Sequence, residues 1–287
     1  HQISLLPIYK NTKLWMYCIV SKLLTNGCSM TWGGGFTYGD LIKVAEENNI
    51  SDCSCVNHIK RKKLLSEVYH GDDIRECKSC TLINARKLMT YPHKLSKLLD
   101  AELIDLSKPG ESCQYVVRTT IDFFLERLDE DLSEYIVILQ LPDGNRFEYW
   151  NDDKKKLKWK AVMPSHDDNK DLAIMFGSQK WNFYNTANNI MQIGNFLKDN
   201  NIRYYISTGG QDWTSGTYNE EISKDKKIKR RIEYIETNYS ILGGSFSKSR
   251  LTQEVPNKDV YISKEDPHWS PHGHTVVANN IYRLIND

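Results

Sequence analysis

Lys22-Leu23-Leu24-Thr25-Asn26-Gly27-Cys28-Ser29-Met30-Thr31-Trp32-Gly33-Gly34-Gly35 carries the first statement about the fold of this chain. Residues 22–26 read as a short buried strand, and a glycine-rich turn follows it at once. A strand that runs into a tight turn is where α/β folds place their chemistry. Ser29, just past the strand, stands at the carboxyl edge of the expected sheet and projects into the crevice where α/β ligands bind; its plainer role is that of a turn or N-cap serine. The segment lacks the second glycine of G-x-S-x-G, so it is not the nucleophile elbow of the α/β-hydrolases. Gly33-Gly34-Gly35 leads to no Gly-Lys-Ser/Thr, which excludes a P-loop.

Strands and helices alternate from there to the end of the chain. Glu102-Leu103-Ile104-Asp105-Leu106 is expected as a second strand closed by Pro109-Gly110. Tyr135-Ile136-Val137-Ile138-Leu139 is an unbroken apolar run suited to a central strand covered on both faces. Arg203-Tyr204-Tyr205-Ile206-Ser207 is the fourth strand. Helices are expected at 91–99, where Pro92 can start one, at about 112–128, 181–198 and 224–241, and at 274–285, each with an apolar stripe at helical spacing. The run from Asn151 to Lys160 reads as a solvated loop. The alternation predicts a three-layer α/β/α sandwich around a mainly parallel sheet.

The companion to Ser29 is Glu265-Asp266-Pro267-His268-Trp269-Ser270-Pro271-His272-Gly273-His274, immediately before the last helix. A serine hydroxyl is a weak nucleophile until an imidazole takes its proton, and that imidazole needs a carboxylate to fix its tautomer. Asp266 and His268, on one loop stiffened by Pro267, can supply both. Three histidines within seven residues are also a candidate metal set, while His272 and His274 fall where capping or packing residues stand.

In this order of blocks the chain resembles the SGNH, or GDSL-like, hydrolases. Asn26-Gly27-Cys28-Ser29-Met30-Thr31-Trp32-Gly33 and Val117-Arg118-Thr119-Thr120-Ile121-Asp122 resemble a branch of that family found in bacteria and their viruses, phage included. The resemblance covers most of 22–35 and 91–287. It implies a flavodoxin-like sandwich and an esterase that cleaves an ester or thioester through an acyl-enzyme. The catalytic triad would be Ser29 as serine nucleophile, His268 as base and Asp266 as its orienter. The oxyanion hole would use the backbone N–H groups of Ser29 and Gly110. The family's third donor is an Asn side chain after the third strand; here Pro142 stands near that place, and Gln140 or Asn145 would substitute. Cys113 replaces another Asn usual after the Gly110 block.

The chain has 287 residues, 40% hydrophobic and 26% charged, and a formal net charge of +1. That length can bury roughly three quarters of the unfolded surface, and the balanced charge gathers neither nucleic acid nor an anionic membrane. Leu14-Trp15-Met16-Tyr17-Cys18-Ile19-Val20 falls far short of a membrane span, and no cleavage site follows it, so a cytoplasmic protein is expected. Met16 is the expected natural start, with residues 1–15 an upstream or tag-like segment. Residues 16–287 then form a single domain with a cysteine-bearing insertion at about 36–90.

Seven cysteines, an odd number, fit reduced thiols. Cys53, Cys55, Cys77 and Cys80 form two close pairs inside the insertion and could close a structural zinc site, with His58 or His70 as alternative ligands; incidental loop thiols are the other reading. Catalysis requires no cofactor. The expected partner is a small-molecule, lipid or carbohydrate ester. Two other functions stay open: a catalytically weakened carbohydrate- or protein-binding module, virion-associated, using the many aromatics; and a zinc-bound nucleic-acid module built on Lys60-Arg61-Lys62-Lys63, against which the net charge argues.

Overall fold

Among the described residues, six strands and seven α-helices follow one another along the chain: β1 (Lys22–Asn26), α1 (Tyr38–Glu47), α2 (Thr81–Met89), α3 (Tyr91–Leu99), β2 (Glu102–Asp105), α4 (Cys113–Leu125), β3 (Tyr135–Gln140), β4 (Phe147–Asn151), β5 (Lys158–Val162), α5 (Gln179–Asp199), β6 (Arg203–Ser207), α6 (Lys226–Asn238) and α7 (Pro271–Asn286). The computed structural model describes residues 21–28, 31, 33, 36, 38–48, 81–142, 144–151, 158–162, 171, 178–207, 224–245, 260–262 and 268–286.

β1 lies inside a parallel sheet of order β2-β1-β3-β6, with Leu24 beside Ile104 on one side and Val137 on the other, and Val137 beside Tyr204. Successive side chains of a strand point to opposite faces, so this register sorts the apolar residues into two layers. Leu24, Val137, Leu139, Tyr204 and Ile206 meet Val116, Val117 and Phe124 of α4, Phe183, Ile190, Ile193 and Leu197 of α5, and Ile228, Ile232 and Ile235 of α6. Leu23, Ile136 and Ile138 on the other face meet Tyr91 and Leu95 of α3 and Val277, Ala278, Ile281 and Ile285 of α7. The result is a three-layer α/β/α sandwich with a parallel central sheet. Burial on both faces explains why β3 reads as an unbroken apolar run.

Side-chain caps start three of the helices. Ser112 Oγ accepts from the Tyr115 N–H, Ser178 Oγ from the Trp181 N–H, and Asp225 from the N–H groups of Lys227 and Ile228. α4 ends at Leu125, short of the expected 128. The Arg127 N–H closes a tight turn on the Phe124 carbonyl, and Leu128 beyond it is exposed. α7 starts at Pro271, so the histidines of the terminal block lie on its first turn.

The expected loop from Asn151 to Lys160 is drawn at both ends into an antiparallel pair, β4 with β5, where Trp150 faces Trp159 with ring centroids 5.5 Å apart. Lysines beside the tryptophans hide this alternation from a reading by polarity. At the ends of the 36–90 stretch, Phe36, Leu41, Ala45, Ala85 and Met89 are buried. Cys53, Cys55, Cys77 and Cys80 lie outside the described residues, as do residues 1–15, Lys60-Arg61-Lys62-Lys63, His58 and His70. No helix among the described residues is long and apolar enough to cross a membrane.

Candidate active site

The carboxyl end of β1 is held from below and from both sides. The Asn26 carboxamide accepts the Gly27 N–H at 2.9 Å and gives its own N–H groups to the Val116 carbonyl, Thr119 Oγ1 and Thr120 Oγ1 at 3.1, 2.8 and 3.0 Å. One buried side chain therefore ties the strand end to α4 and satisfies the Gly27 N–H. Gly27 has no room for a side chain. A methyl there would run into Thr31 Oγ1 and come within 3.1 Å of the Gln140 carbonyl oxygen. The next turn residue, Cys28, is a buried free thiol, and Ser29 after it lies outside the described residues.

On one side of β1, the segment leaving β2 continues alongside: the Leu106 N–H bonds the Thr25 carbonyl at 2.9 Å and the Lys108 N–H bonds the Gly27 carbonyl at 3.1 Å. Gly110 then takes φ of 77°, a left-handed turn that a glycine adopts without strain, just before α4. Half-buried Asp105 accepts from Thr25 Oγ1 and the Ser107 N–H at 3.1 and 3.0 Å. Burial pushes its carboxyl up from the usual range, and its hydrogen bonds and the Arg86 charge act against that.

On the other side, β3 ends in Gln140, which is fully buried. Its Oε1 accepts the Thr31 hydroxyl proton, and Thr31 lies 3.4 Å from the Tyr91 hydroxyl. Burial raises the Tyr91 pKa, which keeps the phenol protonated and able to donate to Thr31. With its oxygen engaged, the Gln140 amide turns its N–H groups elsewhere, and they are buried with no hydrogen-bond partner. Asn145, the alternative donor, stands in the turn after β3; Gly144 before it meets α5, its carbonyl accepting from Asn185 Nδ2 at 2.9 Å.

The terminal block arrives at the same edge. Half-buried His268 is fixed through its backbone, its carbonyl accepting the Ile262 N–H at 2.9 Å, while Trp269 pairs with Tyr261 and the Ser270 N–H bonds the Val260 carbonyl at 2.8 Å. The Ser270 hydroxyl caps α7 at the Gly273 N–H, and Gly273 presses so close to the Val260 carbonyl that a methyl would collide with it.

His274 is buried among Phe36, Tyr91 and Trp269, with ring centroids at 4.9, 6.2 and 5.5 Å. Its Nδ1 accepts the Tyr91 N–H at 3.0 Å, which puts the imidazole proton on Nε2, where it has no partner. Burial, helped by the charges of Lys94 and His268, pushes its pKa down to about 3. His274 is thus a packing residue that the fold holds neutral at ordinary pH. His272 is exposed, so the three histidines do not converge, and no group of three or more metal-ligating side chains occurs among the described residues.

Tyr91 joins the two ends of the chain. Its hydroxyl contacts Thr31, two positions after Ser29, its backbone N–H holds His274, and its ring lies 5.8 Å from Trp269, next to His268. Gln140 ends β3, and Gly110, Asn145 and His268 sit in connections outside the strands; Ser29 and Asp266 lie outside the described residues. Tyr91, Thr31 and Asn26 were not singled out in the sequence. The one available signal was the spacing of Thr31 from Ser29 and the Tyr91-Pro92 helix start.

No protein-family model matches the chain, and no curated protein matches it. Solved structures similar to it include TesA, 8% identical with a TM-score of 0.47 over 92% of this chain and 98% of that one. A second is the esterase EstA from Pseudoalteromonas sp., 11% identical with a TM-score of 0.46 over 93% and 97%. A third is a GDSL-like lipase from Bacteroides thetaiotaomicron, 10% identical with a TM-score of 0.39 over 93% and 88%.

Proposed function

We propose that this protein is an SGNH-type serine hydrolase acting on an ester or thioester. The observation that supports it most is the role of Tyr91, a single residue that grips the turn following Ser29 and the helix following His268. In this reading the Ser29 hydroxyl attacks the carbonyl carbon while His268 takes its proton, and Asp266 steadies the imidazolium. The tetrahedral intermediate collapses to an acyl-enzyme as the alcohol or thiol leaves with that proton. Water, deprotonated by His268, then releases the acid and restores Ser29. None of these steps needs a metal or cofactor.

The developing oxyanion would be met by the backbone N–H groups of Ser29 and Gly110 and by the side chain of Gln140. Two features support Gln140 over Asn145 as the third donor. Thr31 holds its oxygen, which fixes the orientation of the amide, and its buried N–H groups lack an acceptor. Pro142 has no side-chain donor, so a neighbouring residue must do this work.

A second reading, a binding module for a carbohydrate or protein, draws on Trp150 and Trp159, paired edge to face and partly exposed on the β4–β5 ribbon. Short-chain p-nitrophenyl esters and a fluorophosphonate probe separate the two. The hydrolase reading expects the parent protein to turn over the ester and take the label, with Ser29→Ala and His268→Ala each losing at least about a thousandfold in rate and the double variant losing no more. Asp266→Asn is expected to be milder. Undiminished labelling of Ser29→Ala rules out the nucleophile, and a parent protein inert to both reagents leaves the binding module.

A further inference from the structure

Arg146 stands in the turn from β3 to β4, and the chain around it is pinned against α4 at two points. The Pro142 carbonyl accepts from Cys113 Sγ, the first residue of α4, at 3.3 Å. Further on, Glu148 takes Arg118 in a bidentate pair at 2.8 and 3.1 Å. Arg146 lies in the chain between these two contacts, the first of which is made at Cys113, three residues after Gly110.

Among the described residues, the carboxylates on this stretch and on the first turns of α4 are engaged elsewhere. Glu148 is almost completely buried in its pair with Arg118, which also reaches Asp122 at 3.8 Å, and Glu111 pairs with Lys108. Arg146 has no ion pair among the described residues, and its Nη1 is shielded from solvent with no hydrogen-bond partner. A guanidinium keeps its charge at any working pH, and a buried N–H without an acceptor is costly. The planar fork of arginine matches the two oxygens of a carboxylate or the face of a phosphate.

We propose that Arg146 is a specificity residue that receives an anionic group carried by the substrate, beside the Gly110 side of the candidate oxyanion hole. For its substrate this assignment rests on the hydrolase reading; for the anion site itself it does not. Two measurements test it on the full-length protein. The first is the melting temperature with and without inorganic phosphate at constant ionic strength. The second is the ratio of kcat/KM for p-nitrophenyl hemiglutarate to that for p-nitrophenyl hexanoate, which differ chiefly in the terminal carboxylate.

Phosphate is expected to stabilise the parent protein and not Arg146→Gln, while Arg146→Lys, which keeps the charge and loses the fork, falls between. The ratio is expected to drop about tenfold to a hundredfold in Arg146→Gln, the range for a lost hydrogen bond to a charged partner. Arg127→Gln, a remote arginine lying on the Phe123 ring, should match the parent in both. The assignment is overturned by a parent that phosphate does not stabilise, by equal stabilisation of Arg146→Gln, or by a ratio that moves less than twofold. If Ser29→Ala cleaves both esters as fast as the parent, the hydrolase reading fails and the phosphate measurement still decides the site.

Discussion

Replacing His274 with Asn separates the packing of this residue from its titration. Asn keeps an acceptor near the Nδ1 position for the Tyr91 N–H, and it removes both the ring contacts with Phe36 and Trp269 and the ionisable group. At pH 7.5 the variant should be less stable by about 1–3 kcal/mol, the cost of underpacking a buried site. The folded protein holds His274 neutral down to about pH 3, whereas the unfolded chain takes up a proton near the ordinary value of 6.5. The unfolded state therefore binds more protons across that window, and the native protein loses stability as the pH falls through it.

Between pH 7.5 and 4.5 this amounts to about 3 kcal/mol, at roughly 1.4 kcal/mol per pH unit below 6.5. His274→Asn escapes that loss, so the gap between the two proteins should close on acidification and approach a crossing near pH 4.5. Asp105, with its raised carboxyl, pulls the other way, but it is present in both proteins and cancels in the difference. Urea unfolding followed by tryptophan fluorescence at several pH values measures the gap. A gap that stays constant from pH 7.5 to 4.5 would show that His274 titrates alike in both states and would refute the argument.

Asn26→Leu should cost about 2–4 kcal/mol, because the apolar replacement strands the Gly27 N–H and removes the hydrogen bonds that tie the strand end to α4, and chemical denaturation at pH 7.5 reads it directly. Glu148→Gln, which leaves the Arg118 charge without its buried partner, should cost about 3 kcal/mol by the same assay; a loss under half a kilocalorie would mean that the pair is solvated. Gly110→Ala should lose about 1–2 kcal/mol to the left-handed backbone, and fluorophosphonate labelling should slow with it; an unchanged rate argues against an oxyanion role for this turn. The zinc reading of Cys53, Cys55, Cys77 and Cys80 expects about one zinc per chain in protein purified without chelator and none in Cys77→Ser, and a metal-free parent refutes it.

The sandwich was legible because its signals are local. The strands at Lys22–Asn26 and Arg203–Ser207 and the helix at Tyr91–Leu99 fall where the apolar runs and Pro92 put them. An unbroken apolar strand such as β3 announces burial on both faces, whatever its neighbours are. The Trp150–Trp159 ribbon was missed, since a pair of short strands gains its stability across the pairing and from α4. The proposed triad, Ser29 near one end and Asp266 and His268 near the other, also comes from the sequence, because a motif is a statement about neighbours in the chain.

What joins those ends was not visible. Tyr91 reads as the first residue of a helix, and nothing local says that its hydroxyl reaches Thr31 and its N–H reaches His274, 183 positions away. Gln140 reads as the last residue of a strand; that its oxygen is taken and its N–H groups are not follows only from Thr31 packing against Gly27. Arg146 reads as one more surface cation, and only the folded chain shows the nearby carboxylates paired to other residues. Propensity and pattern act over a few residues, which is why they determine the strands, the helices and the motif. Hydrogen-bond satisfaction and charge pairing are decided among groups distant in sequence, and those belong to the tertiary structure alone.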